Sequence, residues 1–274
     1  MTAGTAEKTL RSEDELRELA AAGARELGAE LDADGHVPAQ GEADHTAAIR
    51  WVAENFPNAR VAVACSMADL VLPALVAEQI PNVDVLFLET GYHFPETEGT
   101  KEAAKAMLDI NVIDVMPKLT VAQQDEQHGK DLFRTNPTAC CAMRKVEPLA
   151  ESLQDYEVWF TGVRRDESPT RTDAPLVSFD ETHKLVKVNP MVRWSLDDLV
   201  EHSNSEGLPV NPLLSEGYLS IGCAPCTRKV APGEDPRAGR WSGSDKIECG
   251  IHLLCPRGSA RTTRPPHLQE SETP

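Results

Sequence analysis

Aromatic residues are scarce, at 5% of the chain, so the core must be built from Ala, Val, Leu and Ile rather than from stacked rings. No apolar run approaches the roughly 18 residues that a membrane span requires. The start, Met1-Thr2-Ala3-Gly4, lacks the basic-then-apolar pattern of a secretory leader. A cytoplasmic location without a membrane partner is the expectation. Positive charge is short as well: 27 Lys and Arg stand against 44 Asp and Glu, a net charge of −17. That balance disfavours non-specific binding to nucleic acid. The chain has no internal repeat and no Gly-Lys-Ser/Thr phosphate loop.

What is present is more telling. The 274 residues suffice for one large domain or two small ones. The few basic residues cluster as Arg144-Lys145, Arg164-Arg165, Arg171, Arg228-Lys229, Arg237 and Arg240. An acidic protein that binds an anion needs such local concentration. The seven cysteines are Cys65, Cys140, Cys141, Cys223, Cys226, Cys249 and Cys255. In a cytosolic chain they point to metal or catalysis, and an odd count fits a disulfide framework poorly.

Ser12-Glu13-Asp14-Glu15 has the form of a capping box, and Leu16, Leu19, Ala20, Ala24 and Leu27 follow at helical spacing, weakened by Gly23. Residues 1–45 are read as a mobile helix and linker, partly disordered, with a cap packed on the core as the alternative. Apolar runs predict strands at 60–64, 83–88, 111–115 and 157–161. Helices are expected at 46–56, 70–79, 96–108 and 121–128, with 136–153 largely helical. This alternation predicts an α/β fold, a parallel sheet with helices on both faces. Ligands bind past the carboxyl ends of such strands, which singles out residues 65–69, 89–95 and 161–171. Residues 176–179 and 185–188 read as a hairpin, and a helix should run from Ser195 to about Asn204. From Gly207 onward Pro and Gly are frequent and periodicity is lost.

Cys65-Ser66-Met67-Ala68-Asp69 sits where a strand meets a helix, a place suited to phosphate; Cys65 reads as a small buried residue. Cys140-Cys141 with Cys223-Ala224-Pro225-Cys226 supplies four thiolates. Zinc and an iron–sulfur cluster both accept such a set. Adjacent cysteines diverge, which suits a cubane better, and zinc stays open. A thioredoxin-like redox pair is the rival for Cys223 and Cys226 alone. Cys249, between Glu248 and Gly250, stands apart; near cations it would act as a nucleophile.

Taken together, Cys140-Cys141-x-x-Arg144-Lys145, Thr161-Gly162-x-Arg164-Arg165, Cys223-x-x-Cys226, Asp235-Pro236-Arg237-x-Gly239-Arg240-Trp241 and Glu248-Cys249-Gly250-x-His252 resemble the assimilatory adenylyl-sulfate (APS) reductases, relatives of the phosphoadenylyl-sulfate (PAPS) reductases. The resemblance spans roughly residues 45–252. It implies an adenine nucleotide α-hydrolase-like, Rossmann-like fold with a flexible C-terminal catalytic segment. It implies a [4Fe–4S] cluster on Cys140, Cys141, Cys223 and Cys226. It makes Cys249 the nucleophile that attacks the sulfur of APS, expels AMP and becomes an S-sulfocysteine, from which thioredoxin releases sulfite. Ser66, Lys145, Arg164, Arg171, Arg237 and Arg240 are the substrate-binding residues it implies, and sulfate assimilation toward cysteine is the expected role. All four cluster cysteines favour APS over PAPS, with PAPS or dual activity as the alternative. A nucleotide-binding ATP pyrophosphatase relative and a zinc or redox adaptor without catalysis are the rivals.

The chain departs from the family in two places. Cys65 opens a loop that is usually serine-rich, and Leu253–Pro274, with Cys255, extends past the motif where the family commonly ends. The expected organisation is an N-terminal helix and linker (1–45), a nucleotide- and cluster-binding domain (46–230), a mobile catalytic segment (231–252) and a disordered tail (253–274). Homo-oligomerisation is left open.

Overall fold

In the computed structural model, residues 10–252 are described apart from 245 and 247; the expected tail lies outside the described residues. Two helices lead in, α1 (Glu13–Glu26) and α2 (His45–Asn55). Then β1 (Val61–Ala64), α3 (Val71–Ala77), β2 (Val83–Leu88), α4 (Pro95–Met107) and β3 (Ile110–Val115) alternate. The return passes through α5 (Val121–His128), α6 (Leu132–Thr135), α7 (Pro137–Cys141) and α8 (Glu147–Ser152) to β4 (Val158–Thr161). The hairpin β5 (Val177–Asp180) and β6 (Leu185–Val188) precedes α9 (Leu196–Ser205).

The strands form one six-stranded sheet, ordered β3-β2-β1-β4-β6-β5. Every neighbouring pair is parallel except β5 with β6. The expected hairpin therefore does more than cover an end: β6 continues the parallel sheet beside β4, and β5 closes the edge. Right-handed crossovers put α3 and α4 on one face, and the reversal after β3 carries α5 to α8 to the other. Valines fill the centre: Val61, Val63, Val83, Val85, Val158, Val186 and Val188 are all buried, as expected for strands covered on both faces.

The N-terminal helix is packed on this sheet, not loose. Ser12 and Glu15 close the capping box, and Leu16, Ala20 and Gly23 of α1 face inward against β5 and β6. Gly23 has a packing reason: a Cβ there would stand 2.4 Å from the Trp51 ring of α2. The linker is tied too, because Arg165 donates to both carboxylate oxygens of Glu42 at 2.7 and 2.8 Å.

Candidate active site

Strand order reverses between β1 and β4, the switch point where open α/β sheets bind ligands. A cavity of about 300 Å³ opens there. Ser66, Arg164 and Arg171 reach it from the loops after β1 and β4, and Lys145 from the turn between α7 and α8. Arg237, Arg240 and Cys249 close it from the C-terminal segment. The three loops picked out by position, 65–69, 89–95 and 161–171, all contribute to its wall.

The loop after β1 turns sharply, with Met67 in the left-handed region at φ 57°. Its carbonyls at Met67 and Ala68 are held by Asn211, whose Nδ2 and backbone N–H donate at 3.2 and 3.0 Å. Cys65 is half-buried on the cavity wall rather than in the core, and desolvation pushes its thiol up to about 12, so it stays protonated.

The arginines fall into two sets. Arg164 is paired with Asp166 at 3.1 Å and Glu167 at 3.5 Å. Arg171 meets Glu167 and, at 3.2 Å, Glu248, while Arg237 Nη2 meets Glu248 at 3.0 Å. Arg240 differs. Its Nη1 donates to Ser220 Oγ and the Ile221 carbonyl at 3.3 and 3.2 Å, but its Nε is buried without a hydrogen-bond partner among the described residues. Burial, then Arg237, lowers its pKa. A buried cation short of counter-charge is stabilised by an incoming anion. Gly222 makes the placement feasible, since a Cβ there would stand 2.2 Å from the Arg240 guanidinium.

Beside the cavity lies a small pocket lined by Cys140, Cys141, Cys223 and Cys226, with Arg144, Lys145 and Trp241. Asn136 caps α7 by accepting from Ala139 N–H, and a π-helical turn, Ala142–Val146, joins α7 to α8. The helix thus carries an adjacent cysteine pair and then sends Arg144 and Lys145 to different places. The Cys223–Cys226 turn is fixed from outside: Ala224 N–H donates to the Tyr92 carbonyl at 2.7 Å and Trp241 N–H to the Cys226 carbonyl at 3.0 Å. All four thiols are free. Burial, then the neighbouring sulfurs, pushes Cys140 and Cys226 up to about 11. Burial would also raise Cys223, but Lys145 and the Thr90 hydroxyl outweigh it and lower the pKa. Crowded, desolvated thiols hold their protons until a cation replaces them, so the donor set fits a thiolate-bound metal centre. Cys249, half-buried, lies outside the pocket and on the cavity.

A sequence model of the phosphoadenosine phosphosulfate reductase domain matches residues 58–229. The chain belongs to that family. It is 49% identical over 245 residues to the adenosine 5'-phosphosulfate reductase of Mycolicibacterium smegmatis, with 89% of this chain and 98% of that one covered. Against the enzyme of the same name from Streptomyces coelicolor the identity is 46% over 248 residues, covering 90% and 99%. The crystal structure of the PAPS reductase from Candida auris aligns with a TM-score of 0.57 at 23% identity, covering 68% of this chain and 90% of that chain. That likeness is one of fold.

Within this reductase-family chain, several residues act in ways the motifs alone did not disclose. Arg144 is buried and braces the site: it donates to the Thr90 carbonyl, to the Leu119 carbonyl at 3.3 Å and to Gln124 Oε1 at 3.0 Å. Thr90 also places its hydroxyl 3.3 Å from Cys223 Sγ. Glu248 is the hub of the C-terminal segment, accepting from Thr170, Arg171 and Arg237. Its place in Glu-Cys-Gly-x-His was the one available signal. Glu89, His93 and Glu98 converge as well, but Lys101 sits among them, 2.7 Å from Glu98 and 3.0 Å from Asp114, and the group reads as an ion-pair network. Among the described residues, no helix is long and apolar enough to cross a membrane.

Proposed function

We propose that the protein reduces adenylyl sulfate to sulfite and AMP with Cys249 as nucleophile and thioredoxin as reductant. One observation carries the reading: Ser66, Lys145, Arg164, Arg171, Arg237, Arg240 and Cys249 line a single cavity at the switch point of the sheet. The relatives named adenosine 5'-phosphosulfate reductase support it.

The chemistry follows from the placement. The Cys249 thiolate attacks the sulfate sulfur, an S–S bond forms, and the S–O bond to the phosphate breaks. The electron pair leaves on AMP, so negative charge grows on the phosphate as the bond opens. Arg240, with its unpartnered Nε, and Lys145 meet that charge without reorganisation. A thioredoxin thiolate then attacks the Cys249 sulfur and displaces sulfite, leaving a mixed disulfide that the second thioredoxin thiol resolves. Cys249 ends as a thiolate again.

Cys140, Cys141, Cys223 and Cys226 would hold a [4Fe–4S] cluster. The adjacency of Cys140 and Cys141 on one helix, where neighbouring side chains diverge, suits a polynuclear centre better than a single tetrahedral zinc. When bound, the cluster supplies a fixed charge centre that orders the site and, through Lys145, tunes the field near the sulfate. Sulfate assimilation in the cytoplasm is the setting this reading implies.

Incubation of the purified protein with APS and with PAPS in parallel, thioredoxin present, tests it. Sulfite and AMP from APS are expected. No sulfite from APS would overturn the reading, and turnover of PAPS alone would transfer it to the other nucleotide.

A further inference from the structure

The strand β6 reads Leu185-Val186-Lys187-Val188, and all of it is buried. A lysine in a buried interior strand is costly unless its ammonium finds partners. Register pairs Lys187 with Trp159 of β4, so the two side chains stand next to each other on one face. The Lys187 Nζ lies 5.2 Å from the centre of the Trp159 ring and 3.4 Å from His252 Nδ1. His252 lies over the same ring at 5.7 Å, tilted by 31°, and His183 from the β5–β6 turn meets it edge-on at 5.2 Å. His252 is three residues beyond Cys249, and Ile251 packs on the core beside it. The nucleophile is thus held between two anchors. Glu248, on Arg171 and Arg237, is in front; His252 is behind.

We propose that Lys187 is a positioning residue: with Trp159 and His183 it forms a socket for His252, and the socket holds Cys249 at the cavity. This rests on the reading of Cys249 as the nucleophile. The hydrogen-bond roles are fixed by the donor inventory. Lysine only donates when charged, so Nδ1 accepts and the proton of neutral His252 is on Nε2. The cations around the pair keep His252 neutral, and Asp180 favours the charge on Lys187. Burial, then Lys187, Arg171, His183 and Arg237, holds His252 well below the ordinary imidazole range. Burial lowers Lys187 to about 8, with Asp180 opposing and Arg171 assisting. The lysine is therefore held at a cost to the fold, which a merely structural residue such as leucine would avoid.

The test is the rate at which iodoacetamide labels Cys249 in the purified holo-protein at pH 7, read by mass spectrometry of its peptide. Lys187→Met fills the space without a donor and should speed labelling by about 10-fold, while AMP affinity stays within about twofold. Lys187→Gln keeps a donor and should stay within about threefold of wild type. In a His252→Leu background, Lys187→Met should add nothing further, because the lysine acts through the histidine. With APS, Lys187→Met should slow single-turnover S-sulfocysteine formation while the KM for APS holds. Wild-type labelling in Lys187→Met overturns the proposal. So does about 10-fold faster labelling in Lys187→Gln, which also decides the matter should the Met variant fail to fold. So does an undiminished effect in the His252→Leu background. The labelling arms need no turnover, so failure of the reductase reading would leave them informative.

Discussion

The sheet half of the molecule and its C-terminal segment are held by different forces. Around β1, β4 and β6, valines pack with almost no exposure and the polar side chains are few. From Ile221 to His252 the chain is held by discrete polar ties. Arg228 N–H donates to the Gly239 carbonyl and Trp241 N–H to the Cys226 carbonyl, both at 3.0 Å, and Glu248 bridges Arg171 and Arg237. The lesson is a division of labour. Away from the cavity-lining loops and Lys187, a substitution in the sheet half should change stability and leave chemistry alone. One in the segment should do the reverse. The four cysteines are the joint between the halves, where both should change together.

Cys249→Ser is the sharpest case for the segment. Sulfite formation from APS should fall by on the order of 10³-fold or more, as removal of a nucleophile does. Iron content and melting temperature should hold, because Cys249 lies outside the four-cysteine pocket. Loss of iron on this substitution would merge the two sulfur sites and break the comparison.

Cys226→Ser probes the joint. It removes one donor of four and leaves the Cys223–Cys226 turn to its hydrogen bonds with Tyr92, Trp241, Thr90 and Thr227. Most bound iron should be lost, as read by visible absorbance and metal analysis. A fall in Tm of roughly 4–8 °C corresponds to about 2 kcal/mol for a chain of this size. Loss of iron with an unchanged Tm would show that the segment needs no metal centre to stay docked.

Legibility in the sequence divides along the same line. Val83–Leu88 and Val121–His128 were readable to the residue because periodicity is a local signal. The parallel sheet followed from alternation alone. Gly23 read as a flaw in α1 because its partner, Trp51, lies in another helix. β6 read as half a hairpin because its pairing with β4 spans a long stretch of chain. In the segment, motif resemblance named Cys249, Arg237 and Arg240, and all three line the cavity. What it could not convey is which cation is already paired. Arg164 and Arg171 meet nearby carboxylates, while Arg240 Nε has no hydrogen-bond partner among the described residues. Pairing is a property of three-dimensional neighbours and leaves no local trace.

Arg240→Ala tests that distinction with a smaller effect. Binding of APS and AMP should weaken by about 1–3 kcal/mol, the range for a charged hydrogen bond. The fold should lose little, because the side chain supplies two modest bonds to Ser220 and Ile221 and a guanidinium stacked 4.6 Å over the Trp241 ring. Calorimetric titration with AMP checks the first statement and thermal melting the second. Unchanged AMP affinity would remove Arg240 from the anion site and leave its buried Nε without an account.

The smallest effect belongs to the sheet half. Gly23→Ala exchanges two opposing terms. Alanine favours the helix by about 1 kcal/mol over glycine. Against that, its Cβ would meet the Trp51 ring at 2.4 Å, and overpacking of this kind costs about 1–3 kcal/mol. The clash wins if α1 is held against α2, so Tm should fall by roughly 2–4 °C, the equivalent of about 1 kcal/mol. Sulfite formation should not change, since α1 touches neither the cavity nor the cysteine pocket. A rise in Tm instead would mean that only the propensity term is felt. The helix would then be loosely attached, as the sequence alone first implied, and the contrast between a rigid sheet half and a tethered segment would no longer hold.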